Sequence, residues 1–183
     1  VDGMILQEIR LPRLIIAFCV GASLGLSGSA LQGLLKNPLA EPGLIGVSSF
    51  AALGAVLAIY TGLAGTLWFL LPISGMLGAL ISIVLIFFLA GKNASVTHLI
   101  LAGVAINAVS SSAIALTLNF APNPYALYEI IYWLLGSVSN RSLNEVWISL
   151  PFMLIGWVFL LRSGPFLNAL SLGEETAQTL GFS

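Results

Sequence analysis

The sequence predicts an all-α integral membrane protein in which several apolar helices cross the bilayer as one bundle. Of the 183 residues, 58% are hydrophobic and 7% are charged, and the mean hydropathy is +1.06. A soluble domain, by contrast, carries about 25% charged residues. Uncharged runs long enough to cross a hydrocarbon core of roughly 30 Å recur along the chain. We therefore expect a single transmembrane domain over residues 1–183.

The first apolar run, residues 14–35, carries the clearest packing signal. Gly21 and Gly25 form a G-x-x-x-G pair, and Ser29 and Gly33 repeat the same spacing of small side chains. Small residues at this spacing let the backbones of neighbouring membrane helices approach closely. The pattern predicts that this helix lies inside a bundle rather than alone in lipid.

Five runs are predicted to cross the membrane, after a short polar lead-in at residues 1–8. The predicted spans are residues 14–35, about 43–60, 67–90, 99–120 and 146–161. The first ends at Lys36-Asn37-Pro38, because proline cannot continue a helix and disfavours helical geometry in the residue before it. The last is short, at about 24 Å, so flanking residues must complete its crossing.

A short helix is predicted between the fourth and fifth spans. Asn123 is a favourable N-cap and Pro124 suits the first helical position. Tyrosines then repeat at helical spacing, but residues 125–135 are too few to cross a membrane. We expect this helix to lie at the membrane interface, where aromatic side chains are enriched.

The C-terminal stretch, residues 171–181, predicts a second short helix. Ser171 and Glu174 have the S-x-x-E spacing of a capping box, and Gly181 is a natural C-cap. Ala177 and Leu180, three residues apart, give the helix one apolar face. Two interpretations fit this pattern alone: a solvated connector helix, or a helix that docks into a groove on a soluble partner.

Composition excludes several classes of function. The net charge is −1, and Cys19 and His98 are the only residues of their types, so the chain offers no basic nucleic-acid surface, disulfide framework or histidine-cluster metal or haem site. No predicted span has a charged residue near its middle, whereas ion-coupled transporters usually need one there. The sequence also contains no nucleophile–base pair or phosphate-binding loop, which makes a membrane enzyme remote.

Two motifs together resemble one family. The first reads R-L-P-R, then G-x-x-L-x-x-S-G-x-x-x-Q, then N-P-L-A-x-P-x-x-x-G-V-S; the second reads G-E-x-x-A-x-x-L-G over residues 173–181. The residues that carry the first motif are Arg10 to Arg13, Gly21, Leu24, Ser27, Gly28, Gln32, Asn37 to Ala40, Pro42 and Gly46 to Ser48. In these residues the chain resembles the FecCD-type permeases, the membrane subunits of ATP-binding cassette (ABC) importers for iron–siderophores, haem and cobalamin.

The resemblance implies a type II ABC importer permease of about ten transmembrane helices, of which this chain corresponds to the second to sixth and is incomplete at both ends. It also implies three protein partners: a second permease copy or paralogue, a cytoplasmic ABC ATPase dimer, and a periplasmic or lipid-anchored substrate-binding protein. ATP and Mg²⁺ would be bound by the ATPase, so no cofactor is expected on this chain. The implied location is the cytoplasmic or inner membrane of a bacterium or archaeon, and the implied cargo is a ferric siderophore, with cobalamin and haem open.

The resemblance further assigns roles to individual residues. Arg10 and Arg13 would face outward and pair with glutamates of the binding protein, although interfacial arginines that hold a helix end at the headgroups have the same appearance. The residues assigned to ATPase coupling are Gly173, Glu174, Glu175, Thr176, Ala177, Leu180 and Gly181, and those assigned to the cytoplasmic gate are Asn37, Pro38, Leu39, Val96 and Thr97. The fourth span would line the translocation path with Asn107, Ser110 and Ser111, residues that equally suit interhelical hydrogen bonding.

Orientation does not follow from charge, because the loop cations divide evenly. Arg10, Arg13 and Arg141 lie at one side of the predicted topology, and Lys36, Lys92 and Arg162 lie at the other. The resemblance places the Arg10 side outside and the C-terminal loop in the cytoplasm. The rival from another class is an ion-coupled secondary transporter or channel that needs no ATPase, and the C-terminal motif separates the two.

Overall fold

A computed structural model of the chain describes residues 2–91, 95–139 and 141–181, with the backbone alone for Asp2 and Glu174. These residues form nine α-helices and no strand. The helices are α1 (Asp2–Ile5), α2 (Leu11–Leu35), α3 (Val47–Tyr60), α4 (Leu70–Ala90), α5 (Val96–Asn119), α6 (Pro124–Leu135), α7 (Leu143–Arg162), α8 (Gly164–Ser171) and α9 (Glu174–Thr179). The all-α fold predicted from composition is confirmed.

Four of the described helical stretches are long and apolar enough to cross a membrane: Gly3–Leu35, Leu70–Ala90, Val96–Asn119 and Leu143–Arg162. The remaining predicted span contains α3, which has 14 residues and rises only about 21 Å. Glycines in the left-handed conformation lie just outside both ends of α3, Gly46 with φ +74° and Gly62 with φ +75°. Because L side chains rarely adopt this conformation, these residues mark where the regular helix begins and ends, and a 3₁₀ turn at Pro42–Ile45 precedes it.

The polar lead-in predicted for residues 1–8 is wrong. Helix α1 and a π-helical turn at Leu6–Arg10 run directly into α2, so Gly3–Leu35 forms 33 continuous helical residues. Pro12 lies in the first turn of α2 and is fully buried. A proline lacks the N–H of the regular α-helical ladder, and the wider π turn before it lets the helix continue past that gap.

Helix α7 is longer than predicted, with 20 residues and a rise of about 30 Å. It begins three residues earlier than expected because Ser142 and Glu145 form a capping box. The Ser142 backbone N–H donates to Glu145 Oε2 at 2.9 Å, and the Asn144 N–H donates to Ser142 Oγ at 3.3 Å. Pro151 lies within the helix and does not end it.

Helix α6 begins as predicted. The Asn123 side chain accepts a hydrogen bond from the Ala126 N–H at 2.8 Å, and Pro124 occupies the first helical turn. Ile130 is fully buried, whereas Tyr125 and Tyr132 are largely exposed. The helix therefore has one packed face and one aromatic face, as its tyrosine spacing predicts.

The chain divides into two compact units. The first comprises Val1–Pro42 together with Val138–Ser183, and the second comprises Gly43–Ser137. In the first unit, the Trp157 indole N–H donates to Ser23 Oγ at 2.9 Å, and Gly33 lies against Leu167. Each contact pairs residues with the same offset along the chain, so α2 runs parallel to the α7–α8 segment.

The second unit packs around two small cores. Val56 and Ile59 of α3 meet Ile130 of α6 in one. Residues Ile86, Ala102 and Ile106 form the other, between α4 and α5. Backbone atoms of α3 and α4 meet at Gly54 and Gly78, and the backbone of α5 at Gly103 meets Ile45 just before α3. These contacts make the unit a tightly packed helical body.

Candidate functional site

The C-terminal helix α9 begins differently from the prediction. The predicted capping box is wrong, because Ser171 is the last residue of α8 and its hydroxyl donates to the Asn168 carbonyl at 2.7 Å. Gly173, with φ +123°, separates α8 from α9 and serves as the N-cap without a side-chain hydrogen bond. The start of α9 is therefore determined by the backbone conformation of Gly173 and not by a serine N-cap.

Helix α9 divides its predicted coupling residues between two environments. Ala177 is 3% exposed, and α9 packs against α8. Leu180 is 59% exposed, and Glu175 and Thr176 are exposed as well. Gly181 follows with φ +89° and closes the helix, its N–H bonded to the Gln178 carbonyl at 3.0 Å. Ala177 thus seats the helix on this chain, and Leu180 remains available to a partner.

The two arginines of the R-L-P-R motif lie inside the long first helix rather than at its start. Arg10 ends the π turn and is exposed. Arg13, three residues later, is partly buried, and its Nε is enclosed without a hydrogen-bond partner among the described residues. A buried donor without a partner is costly, so the Arg13 guanidinium is incompletely satisfied within the part of the chain that the structure describes.

The predicted gate residues at 37–39 form a compact turn in the first unit. Asn37 Oδ1 accepts from the Leu39 N–H at 2.9 Å, and the Asn37 carbonyl accepts from Ala40 N–H at 3.1 Å. The Gln32 side-chain amide donates to the Ala40 carbonyl at 3.3 Å. Pro38 and Leu39 are exposed, with Leu39 exposed to 83%. The turn holds an apolar side chain outward at the end of α2.

The other predicted gate residues, Val96 and Thr97, form the first turn of α5 in the second unit. Ser95 caps this helix: its hydroxyl oxygen accepts from the His98 N–H at 3.4 Å and lies 2.8 Å from His98 Nδ1. Thr97 is exposed. Lys92, which bears on the charge count, lies outside the described residues.

The predicted pathway residues of α5 face in different directions. Ser110 is fully buried, and its hydroxyl donates to the Ile106 carbonyl at 2.7 Å. Ser111 is exposed and Asn107 is partly exposed. The backbone N–H of Asn107 lies beside Gly46, where any side chain would clash. Within this unit, Ser111 is therefore the most accessible of the three.

Two features of the first unit are not predicted from the sequence. Residues 164–170 belong to α8, which Gly164-Pro165 opens with a proline in the first turn. Ser23 and Trp157 meet although they are far apart in sequence. Among the described residues, no three His, Cys, Asp or Glu side chains converge in a way that could hold a metal ion.

The chain is similar to known proteins over its whole length. The model of the FecCD transport family matches residues 1–183. The chain is 41% identical to the uncharacterized ABC transporter permease protein YvrB of Bacillus subtilis, 35% identical to the iron(3+)-hydroxamate import system permease protein FhuG of the same organism, and 34% identical to the vitamin B12 import system permease protein BtuC of Citrobacter koseri. These alignments cover 98%, 98% and 95% of the chain.

The fold is also similar to a solved structure, that of a metal-chelate type ABC transporter in an inward-facing conformation. The TM-score is 0.91 at 34% sequence identity, and the match covers 99% of this chain and 57% of that one. The chain spans about half the length of the curated relatives, with 52% of YvrB, 55% of FhuG and 52% of BtuC covered.

Proposed function

The chain belongs to the FecCD transport family, and we propose that it forms part of the membrane-spanning permease subunit of an ABC importer. The observation that carries this proposal is the close fold match to a metal-chelate type ABC transporter over nearly the whole chain. The family membership that the two sequence motifs predict is confirmed by the family match. In this proposal the subunit resides in the cytoplasmic or inner membrane and forms the pathway with a second permease copy or paralogue.

Helix α9 is proposed to couple the permease to ATP hydrolysis on a separate ATPase dimer. Its exposed Leu180 would insert into an apolar groove on the ATPase, with Glu175 and Thr176 beside it at the rim. Ala177, buried on the side of this chain, would transmit movement of α9 to α8 because the two helices are packed together. The nucleotide and its Mg²⁺ would be bound entirely by the partner.

Arg10 and Arg13 are proposed to dock the substrate-binding protein. The two residues are one helical turn apart, so carboxylates on the lobes of a partner can reach both from one direction. Arg13 supports this role, because its Nε lacks a hydrogen-bond partner among the described residues. Opposite charge at such a contact speeds encounter and fixes register more than it adds affinity.

The translocation step is proposed to use the second unit as one moving body. Helices α3 and α4 meet at backbone level, as do α5 and the segment just before α3, and such a body shifts as a whole rather than deforming. Val96, Thr97 and the Ser111 side of α5 would move with it, while the Asn37–Leu39 turn belongs to the first unit. The proposed cargo is a ferric siderophore, as for the iron(3+)-hydroxamate permease FhuG, with cobalamin and haem as the other family cargoes.

One experiment with two variants tests both partner contacts. The complete permease is expressed with its ATPase and binding protein, purified in detergent, and assayed for retention of each partner. Leu180→Asp places a charge on the apolar side chain of α9, and we expect at least a tenfold loss of ATPase retention with binding-protein affinity unchanged. Arg10→Glu reverses the charge in the R-L-P-R motif. We expect at least a tenfold loss of binding-protein affinity with ATPase retention unchanged.

Each variant is the control for the other, since both insert one acidic residue into the same polypeptide. Leu63→Asp, in an exposed 3₁₀ turn at Leu63–Gly65, supplies a third variant that should keep both partners. If Leu180→Asp keeps full ATPase retention and ATP-dependent uptake, α9 does not couple the permease to an ATPase, and the importer proposal loses its proposed coupling contact. If Arg10→Glu leaves binding-protein affinity intact, the docking role alone is rejected.

A further inference from the structure

The exposed side of α4, in the second unit, is entirely apolar. Every exposed residue of this helix is a leucine, isoleucine, valine or phenylalanine: Ile73, Leu77, Leu80, Ile81, Ile83, Val84, Phe87, Phe88 and Leu89. Most of these residues recur at the three- and four-residue spacing of one helix face. We call this surface the outer face of α4. Because it offers no polar side chain to water, it needs an apolar neighbour.

The opposite side of α4 packs against the unit and fixes the rotation of the helix about its axis. Gly78 and Ser82, one turn apart, are both buried on that side. A Cβ added to Gly78 would lie 2.5 Å from the Phe50 carbonyl oxygen, so the backbones of α3 and α4 are in contact there. This backbone contact determines which residues of α4 point away from the unit.

The composition of the two sides of α4 distinguishes a lipid neighbour from a helix neighbour. Helices that associate within a membrane meet through small residues, which let their backbones approach closely. The packed side of α4 has such residues in Gly75, Gly78 and Ser82, whereas the outer face has none. Acyl chains are as apolar as leucine and need no small residue for contact. The outer face therefore suits acyl chains better than a further helix.

Helix α5 of the same unit provides an internal comparison. Its exposed residues include leucine and valine, but small and polar side chains are interspersed among them: Ala105, Ala108, Ser111, Ser112 and Ala115. Such a mixed surface is typical of a helix contact. Of the two long helices of this unit, only α4 has an exposed surface of uninterrupted large apolar side chains.

The length of α4 matches a hydrocarbon layer. The helix has 21 residues and rises about 30 Å, the usual thickness of the hydrocarbon core. Trp68 lies just before the helix and is more than half exposed. Tryptophan has an apolar ring with one N–H donor, so it concentrates where acyl chains meet headgroups. At the other end, Gly91 follows the helix, and Ser95 and Thr97 are exposed polar residues.

We propose that the outer face of α4 is the lipid-contacting surface of the second unit. Acyl chains lie along residues 73–88, and Trp68 lies at the headgroup boundary. The proposal requires only that α4 crosses the membrane, and it does not depend on the importer function. A further transmembrane helix and a water-filled cavity are the alternative neighbours of this face, and each gives a different result in the experiment below.

Site-directed spin labelling of the complete permease in liposomes tests this surface. Single cysteines are introduced into a background from which Cys19 and any other cysteine have been removed. Each label is exposed to oxygen, which dissolves among acyl chains, and to a water-soluble nickel chelate, which does not. We expect the oxygen-to-nickel collision ratio at Leu80→Cys, in the middle of α4, to exceed that at Thr61→Cys by at least about tenfold. Thr61 is exposed just after α3 and is the water-side control.

The collision rates distinguish the three possible neighbours of α4. Oxygen access without nickel access at Leu80 supports the lipid contact. An immobile label that neither reagent reaches would show that a protein surface covers α4, and nickel access would show a water-filled cavity, so either result overturns the proposal. Val84→Cys, on the same outer face, gives the same test if Leu80→Cys does not fold.

A further label tests the boundary at Trp68. Leu67→Cys lies beside the indole and should give a collision ratio between those at Leu80 and Thr61, because the headgroup region admits both reagents. The ratio should also fall from Leu80 toward Ile73→Cys. A ratio at Leu67 equal to that at Leu80 would place Trp68 within the acyl chains and overturn its assignment to the boundary.

Discussion

The two units of this chain use helix glycines in opposite ways. In the second unit, a Cβ added to Gly78 would lie 2.5 Å from the Phe50 carbonyl oxygen, and one added to Gly103 would lie 2.9 Å from Ile45. In the first unit, a Cβ added to Gly21, Gly25 or Gly28 would meet no atom of the described residues within 4 Å. The G-x-x-x-G pair, the clearest packing signal in the sequence, therefore lies in the unit where no backbone of the described residues approaches it.

The first unit relies instead on a side-chain contact. Its long helices are joined by the Trp157–Ser23 hydrogen bond, whose members are both partly buried. A backbone contact excludes every side chain at the glycine, whereas a side-chain hydrogen bond is lost without a clash when one partner is removed. The same kind of substitution should therefore have a large effect in one unit and a small effect in the other.

The largest expected effect is that of Gly78→Ala in α4. The added methyl group would collide with the backbone of α3 at Phe50 and Ala51, and backbone atoms cannot rotate away. We expect the free energy of unfolding to fall by about 1–3 kcal/mol, the usual cost of overpacking. The measurement is the midpoint of denaturant-induced unfolding of the detergent-purified protein.

Gly75→Ala is the matched control for Gly78→Ala. Gly75 lies one turn earlier on the same helix and also faces α3, but its Cβ would sit an ordinary 3.6 Å from the Ala51 carbonyl oxygen. We expect this variant to keep or slightly raise stability, since alanine favours helix over glycine. Equal loss in both variants would mean that α4 tolerates no added volume on this face, and the backbone contact at Gly78 would not be the reason.

A smaller effect is expected from the hydrogen bond of the first unit. A double-mutant cycle with Trp157→Phe and Ser23→Ala isolates the coupling between the two side chains. Hydrogen bonds between membrane helices couple by about 0.6 kcal/mol on average and by about 1.7 kcal/mol at most. We expect a value in that range from unfolding midpoints.

Trp147 provides the control for this cycle. It lies on the same helix as Trp157, but it is 69% exposed, and Trp147→Phe should show no coupling with Ser23→Ala. A zero coupling for Trp157 as well would mean that α2 and α7 are held together by apolar packing alone. The claim that the first unit is held together by a side-chain hydrogen bond would then be wrong, although the backbone contacts of the second unit would stand.

The sequence predicts most of the fold, because the dominant signals are local. Apolar length places α4 and α5 to within a few residues, and Asn123-Pro124 places the start of α6. Predictions fail where a neighbouring element uses the same residues in another way. Ser171 has the right spacing for a capping box with Glu174, but the preceding helix α8 uses it first. A polar lead-in is likewise overridden, because the π turn before Pro12 carries the helix through.

The candidate site is less accessible to sequence reasoning than the fold. Motif spacing identifies Arg13 and Ala177 equally well, but it does not show that Arg13 Nε is enclosed or that Ala177 is buried. The direction in which each serine of α5 points depends on which neighbours α5 packs against. Ser110 is buried and Ser111 is exposed, although both belong to one run of three serines. Such distinctions come from tertiary packing.

The smallest expected effect, and the most informative about the comparison, is that of Gly25→Ala in α2. Gly25 is exposed, and a Cβ there meets no atom within 4 Å in the part of the chain that the structure describes, so we expect no clash. Replacing glycine by alanine inside a helix favours folding by up to about 1 kcal/mol. We therefore expect the unfolding midpoint to stay the same or rise slightly, in the same assay as for Gly78→Ala.

The opposite result for Gly25→Ala would be equally specific. A loss close to that of Gly78→Ala, about 1–3 kcal/mol, requires a backbone within contact distance of Gly25 in the assembled protein. Leu24→Ala separates this case from general weakening of α2, because Leu24 is 55% exposed on the adjoining face and should cost little if lipid surrounds it. A destabilising Gly25→Ala together with a tolerated Leu24→Ala would show that the small-residue spacing of α2 marks a helix contact. Both units would then pack through glycine–backbone contacts, and they would differ only in where the contacting helix comes from.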